Sequence, residues 1–158
     1  MNLVVLIILT LLALTPGLEV RASVPYGIVN GVNDLVNVAL SYVASTSIAP
    51  IVIYGFNFVE KELVYGVKLL EKAYVMVVNR VRKRAEGIKA SKWVYASLSL
   101  YVAVPLPLTG VWTGSLIAYL LDLRKAKSII AIAIGNAAAT LILYLSAKGV
   151  ITLFTSIT

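Results

Sequence analysis

Residues 93–121 read Trp93-Val-Tyr-Ala-Ser-Leu-Ser-Leu-Tyr-Val-Ala-Val104-Pro105-Leu-Pro107-Leu-Thr109-Gly110-Val111-Trp112-Thr-Gly114-Ser-Leu-Ile-Ala-Tyr-Leu-Leu121. Two apolar runs, 93–104 and 111–121, are held apart by a break containing two prolines. A helix needs about 20 apolar residues to cross the hydrocarbon core, so neither run spans by itself. Pro105 and Pro107 each remove a backbone donor and disfavour helix at the residue before. Unwound backbone at membrane depth survives only where it is buried in protein or lines a watery cavity. The stretch therefore reads as a re-entrant hairpin, the alternative being an exposed loop between two short membrane helices.

The flanks set its orientation. Of the 14 Lys and Arg residues, all but Arg21 and Lys148 fall between Lys61 and Lys127. They lie in residues 61–92 and 124–127, on either side of the hairpin, and the positive-inside rule puts both groups in the cytoplasm. The hairpin then enters and leaves on the same face. Residues 128–147, apolar and long enough, cross outward. Upstream, the region around 27–58 must cross inward to deliver Lys61 to the cytoplasm. The first run, 2–15, is again short and ends in a break of its own, Thr15-Pro-Gly-Leu-Glu19-Val-Arg21-Ala-Ser-Val-Pro25, which predicts an outer-side re-entrant. Between the halves, Lys61, Lys68, Lys72, Asn79 and Lys83 make one polar stripe, predicting an amphipathic connector helix along the inner surface.

Composition agrees with a membrane chain. Of 158 residues 60% are hydrophobic and 13% charged, and the mean hydropathy is +0.94. A soluble fold cannot hide so much apolar surface. The net charge of +7 is clustered between apolar runs, so no nucleic-acid partner is expected. Cys and His are both absent, which removes thiol and imidazole chemistry and the usual metal ligand sets. No phosphate loop, nucleophile elbow or carboxylate dyad stands out, and the chain is not expected to be an enzyme or to carry a cofactor.

The breaks share a pattern. Pro25-Tyr-Gly27-Ile-Val-Asn-Gly31 and Pro107-Leu-Thr109-Gly110-Val-Trp112-Thr-Gly114 each place a Pro shortly before a Gly-x-x-x-Gly, the Pro suiting the first turn of a half-helix and the glycines letting another helix pack closely. With the opposed charge pattern this predicts two halves of inverted orientation, a transporter signature with the site near the midplane. Two unrelated Gly packing motifs are the other reading.

Within the first break, Glu19 and Arg21 are the ionisable residues set among apolar sequence. Such residues are costly at depth and mark function by default. Desolvation favours the neutral form of a carboxyl, which makes Glu19 a proton-coupling candidate, whereas Arg21 stays charged. The bland alternative has Arg21 snorkelling to the outer interface beside a solvated Glu19. Asp34, with Asn30 and Asn37, forms a polar stripe that either lines a path or binds neighbouring helices. Thr109, Trp112 and Ser115 offer polar groups at the second break.

Glu19-Val-Arg21-Ala-Ser-Val-Pro25-Tyr-Gly27 followed by Val104-Pro-Leu-Pro-Leu-Thr-Gly-Val-Trp-Thr-Gly114 resembles the small multidrug export protein family across nearly the whole chain. Ala22 and Leu108 stand where that family carries glycines. The family is similar to the DedA, or VTT, membrane proteins, and the resemblance implies inverted repeats with paired re-entrant loops and proton-coupled transport or lipid movement. On that resemblance Glu19, Arg21, Pro25 and Gly27 match the first functional loop, and Pro105, Pro107, Gly110, Trp112 and Gly114 the second.

The resulting expectation is an all-α integral membrane protein, an inverted repeat of two re-entrant hairpins each followed by a transmembrane helix. The first repeat is 1–60, the connector 61–92 and the second repeat 93–158, with both termini outside. It would move a small molecule or lipid, work beside membrane lipids and pair as a homodimer. A non-transporting scaffold or assembly factor is the rival. A cleaved signal at 2–22 is disfavoured by the lack of a basic start and by the membrane segments that follow.

Overall fold

The computed structural model describes residues 2–59, 93–106 and 109–157; the expected connector at 61–92 and Pro107 lie outside the described residues. Among the described residues every regular element is a helix and none is a strand. The helices are α1 (Leu3–Leu14), α2 (Glu19–Val29), α3 (Asp34–Thr46), α4 (Ile48–Val59), α5 (Val94–Ala103), α6 (Val111–Leu120) and α7 (Lys125–Ile157).

Local chemistry explains each boundary. Asn2 caps α1 by accepting the Val4 N–H at 3.2 Å. The Thr15-Pro16-Gly17-Leu18 reversal has Pro second and Gly third, Gly17 at φ +81°, and Leu18 N–H bonding the Thr15 carbonyl at 3.2 Å. That is the chemistry of a type II turn. At the end of α2, Val32 N–H reaches Gly27 and Gly31 N–H reaches Ile28, with Gly31 left-handed at φ +66°. At the end of α6, Leu123 reaches Ala118 and Asp122 reaches Tyr119, with Asp122 at φ +51°. Both short helices thus close in the same 6→1, 5→2 cap. α3 and α4 form a single apolar span, Asp34–Phe56, bent at Ser47. Pro50 is the cause, because its ring excludes the bond to the Thr46 carbonyl.

Among the described residues two spans, Asp34–Phe56 and Lys125–Val150, are long and apolar enough to cross a bilayer. α1, α2, α5 and α6 have 12, 11, 10 and 10 residues, about 15–18 Å each and so roughly half the hydrocarbon thickness.

α7 is the shared wall. Its first half packs Ala131 and Ile132 against Ile48, Val52 and Ile53 of α4, Leu98 and Val102 of α5, and Val111 of α6. Two turns further on, near its middle, it packs Ala139 against Val20 and Val24 of α2. Gly135 lets α7 lie directly on α5, where a Cβ would run into the Ser99 carbonyl. Among the described residues many large apolar side chains face outward, Leu3, Leu35, Ile51, Leu100, Ile134 and Leu145 among them, Leu35 exposed by 80%. Buried polar side chains, including Asn37, Ser41, Ser45, Asn136 and Thr140, sit within this otherwise apolar interior. Apolar side chains outside, with the polar ones that do occur kept inside and paired, is the arrangement a lipid solvent favours.

One local expectation is corrected. Pro25 lies seven residues into α2, not in its first turn, and Gly31 is the left-handed cap beyond the helix, so Gly27 and Gly31 do not form a helical packing pair. The first break is the four-residue turn 15–18, and Glu19 and Arg21 belong to the first turn of α2.

Candidate functional site

The two breaks meet at one carboxylate. Glu19 opens α2 in a left-handed backbone conformation, φ +47°, uncommon and strained for a residue with a Cβ. Its side chain is 1% exposed. Oε2 accepts the Val111 N–H at 2.8 Å and Oε1 accepts the Trp112 N–H at 3.2 Å. α6 has no cap from its own sequence, since Gly110 precedes it, and Glu19 supplies the cap from 92 residues away in sequence. The positive ends of α2 and α6 therefore converge on one negative charge.

Arg21 braces the other side. Nη1 lies 3.4 Å from Glu19 Oε2, and Nη2 donates to Thr109 Oγ1 at 2.8 Å and to the Val104 carbonyl at 3.1 Å. The Thr109 hydroxyl lies 2.6 Å from the Val104 carbonyl and 2.7 Å from that of Leu106, so while it accepts from Arg21 it donates its one proton into the break. Trp112 Nε1 donates to the Leu14 carbonyl at 3.1 Å, fastening the end of α1 to the same place. The planar guanidinium makes these contacts from two nitrogens in a rigid fork, a spread that lysine's single nitrogen does not reproduce.

Close approach is secured by glycines. A Cβ on Gly110 would fall on the Glu19 carboxylate, and one on Gly27 would fall on the Asn37 side chain. Asn37, fully buried, donates from Nδ2 to the Val24 carbonyl at 2.9 Å. Gly114 admits Val102, whose Cγ2 would stand 2.6 Å from a Cβ there.

The junction thus brings together Glu19, Arg21, Thr109, Gly110 and Trp112, with Pro105 in the same break and Gly114 one turn into α6. Pro25, Gly27 and Gly31 lie further along or beyond α2. Asp34 is not at the junction. It begins α3, half exposed, and pairs with Lys148 of α7, whose Nζ also donates to the Tyr144 hydroxyl at 2.8 Å. Sequence reasoning missed the partners of Glu19, which are backbone N–H groups and carry no side-chain signal. It also passed over Asn136, which donates to Thr46 Oγ1 at 2.9 Å beside the Pro50 bend. An amide inside an otherwise apolar span was a readable signal.

No curated protein and no solved structure matches the chain. A family does: residues 19–142, beginning at the junction carboxylate, match the family described as "Putative small multi-drug export protein", and the chain belongs to that family.

Proposed function

We propose that the chain is a small multi-pass membrane transporter whose moving part is the Glu19–Arg21 junction. The observation that carries the reading is the Glu19 carboxylate capping α6 across the two halves. A buried charge shared by two helix starts is a bistable contact: it is made or broken as a unit, and breaking it parts the halves at mid-depth. Glu19 is the coupling residue, Arg21 its partner and Thr109 the link to the second break. The substrate is a small molecule or a lipid, and export is the direction the family's description suggests.

The halves act as an inverted repeat in this reading. α1–α2 and α5–α6 are re-entrant pairs, and α3–α4 and α7 are the crossing helices. Supporting this are the shared element order, the half-thickness of the four short helices and the matching caps at Gly31 and Asp122. The connector is cytoplasmic and both termini are outside, following the charge distribution. A second copy of the chain is the expected partner in the bilayer.

Purified protein in vesicles loaded with a pH-sensitive dye, with ethidium as the exported probe, tests the reading. Efflux that follows an imposed pH gradient and is lost in Glu19→Gln supports it. Unchanged efflux in that variant removes Glu19 from the mechanism, and absence of any gradient-driven movement favours the scaffold role.

A further inference from the structure

Most buried polar side chains of the described residues are satisfied within the protein. Asn37, Asn136, Ser41, Ser128 and Thr140 all have partners, the last two by bonding a carbonyl one turn back in their own helix at 3.1 and 2.6 Å. Back-bonding is the ordinary resting place of a hydroxyl in an apolar helix. Three serines depart from it. Ser23, Ser45 and Ser115 are fully buried, and none of their hydroxyls has a hydrogen-bond partner.

Their positions are related. Ser23 follows Glu19 by four residues on α2, and Ser115 follows Val111, whose N–H holds the Glu19 carboxylate, by four residues on α6. One hydroxyl therefore stands one turn, about 6 Å, into each half-helix from the junction. Ser45 comes in from α3. Asn37 of the same helix touches α2 at both Gly27 and the Val24 carbonyl, so α3 lies along α2. An unpaired buried hydroxyl costs free energy, and three of them on the two helices that start at the junction and the helix packed beside them call for a shared reason.

We infer that Ser23, Ser45 and Ser115 line a water path through the junction, shut in this conformation and opened when α2 and α6 part. The inference deepens the transport reading and rests on it. A hydroxyl one helical turn, about 6 Å, from the residue that bears or binds the junction carboxylate is spaced for one bridging water, which makes bonds of about 2.8 Å to each side. The ligand class is water together with small hydrated cations or protons delivered to Glu19. Hydroxyls suit this task because each both donates and accepts, and in the shut state they have no competing bond to break.

The chain has no native cysteine, so single replacements report cleanly. Ser23→Cys, Ser45→Cys and Ser115→Cys, near-isosteric changes, are made in the full chain. Ala139→Cys serves as the dry control, since Ala139 is 1% exposed and packed among apolar residues. Each variant, checked for monodispersity, is exposed in vesicles to silver ion, which reaches a thiol through water, and unreacted thiol is counted after denaturation. All three serine positions are expected to react about tenfold or more faster than Ala139→Cys, because an apolar, unhydrated thiol is inert. Any one of the three reacting at the control rate breaks the path and overturns the inference. The assay needs no flux, so a dry result beside a Glu19-dependent efflux leaves the transport reading standing.

Discussion

Gly110→Ala isolates the junction better than any change to a charged residue. Gly110 has φ −84° and ψ −166°, extended backbone that alanine adopts without strain. Where the native conformation suits it, Gly→Ala ordinarily stabilises by about 0.4–1 kcal/mol through the unfolded chain. Here the added methyl would occupy the place of the Glu19 carboxylate. The carboxylate must leave, and the Val111 and Trp112 N–H groups lose the acceptors they now hold at 2.8 and 3.2 Å. A buried donor without its acceptor costs about 1–3 kcal/mol. Two such donors, less the backbone gain, give a net loss of about 1–5 kcal/mol. The assay is reversible unfolding in mixed micelles with increasing sodium dodecyl sulfate. In a Glu19→Ala background the same Gly110→Ala change should cost little or stabilise, a coupling of about 1.5 kcal/mol or more. Gly110→Ala as stable as the parent, or an equal cost in both backgrounds, would refute the reasoning.

Other expected outcomes follow from the same contacts. Gly27→Ala drives a methyl into the Asn37 amide and should cost about 1–3 kcal/mol in the same micelle assay, with Asn37→Ser recovering most of it. Gly135→Ala meets the Ser99 backbone carbonyl, where no side chain can be trimmed, so it should cost about 3 kcal/mol and resist rescue by side-chain changes on α5. Arg21→Lys keeps the charge but replaces a two-nitrogen fork, which now reaches Glu19 from one nitrogen and Thr109 and the Val104 carbonyl from the other, by a single nitrogen; gradient-driven efflux should fall about tenfold while the protein stays folded by circular dichroism.

The course of the chain was legible where the signal is a break in apolar periodicity. Runs too short to span, punctuated by Thr15-Pro-Gly and Val104-Pro-Leu-Pro, announced short helices separated by turns, and the described residues fold so. Glu19 and Arg21 stood out because ionisable residues are rare in apolar sequence, and both lie at the junction. What the sequence withheld was register. Pro25 looked like a helix start, yet the Pro16-Gly17 turn had already reversed the chain and α2 begins six residues earlier, at Glu19. Gly31 resembled a packing glycine because spacing alone cannot separate a helical position from a left-handed cap. Asp34 sat four residues from one end of a polar stripe, but its partner, Lys148, lies 114 residues away, and no local pattern encodes that. The partners of Glu19 are main-chain donors, which every residue but proline possesses.

The account turns on the contact between the two breaks, and a cross-link tests it most directly. A Cβ on Gly110 would lie within the Glu19 side chain, so Glu19→Cys with Gly110→Cys brings two thiols within reach of a disulfide. After mild oxidation in the membrane and complete trypsin digestion, which the many Lys and Arg between residues 61 and 92 permit, the fragments bearing the two positions should migrate together and separate on reduction. Fragments that separate without reductant, although both thiols react with maleimide, would contradict the account.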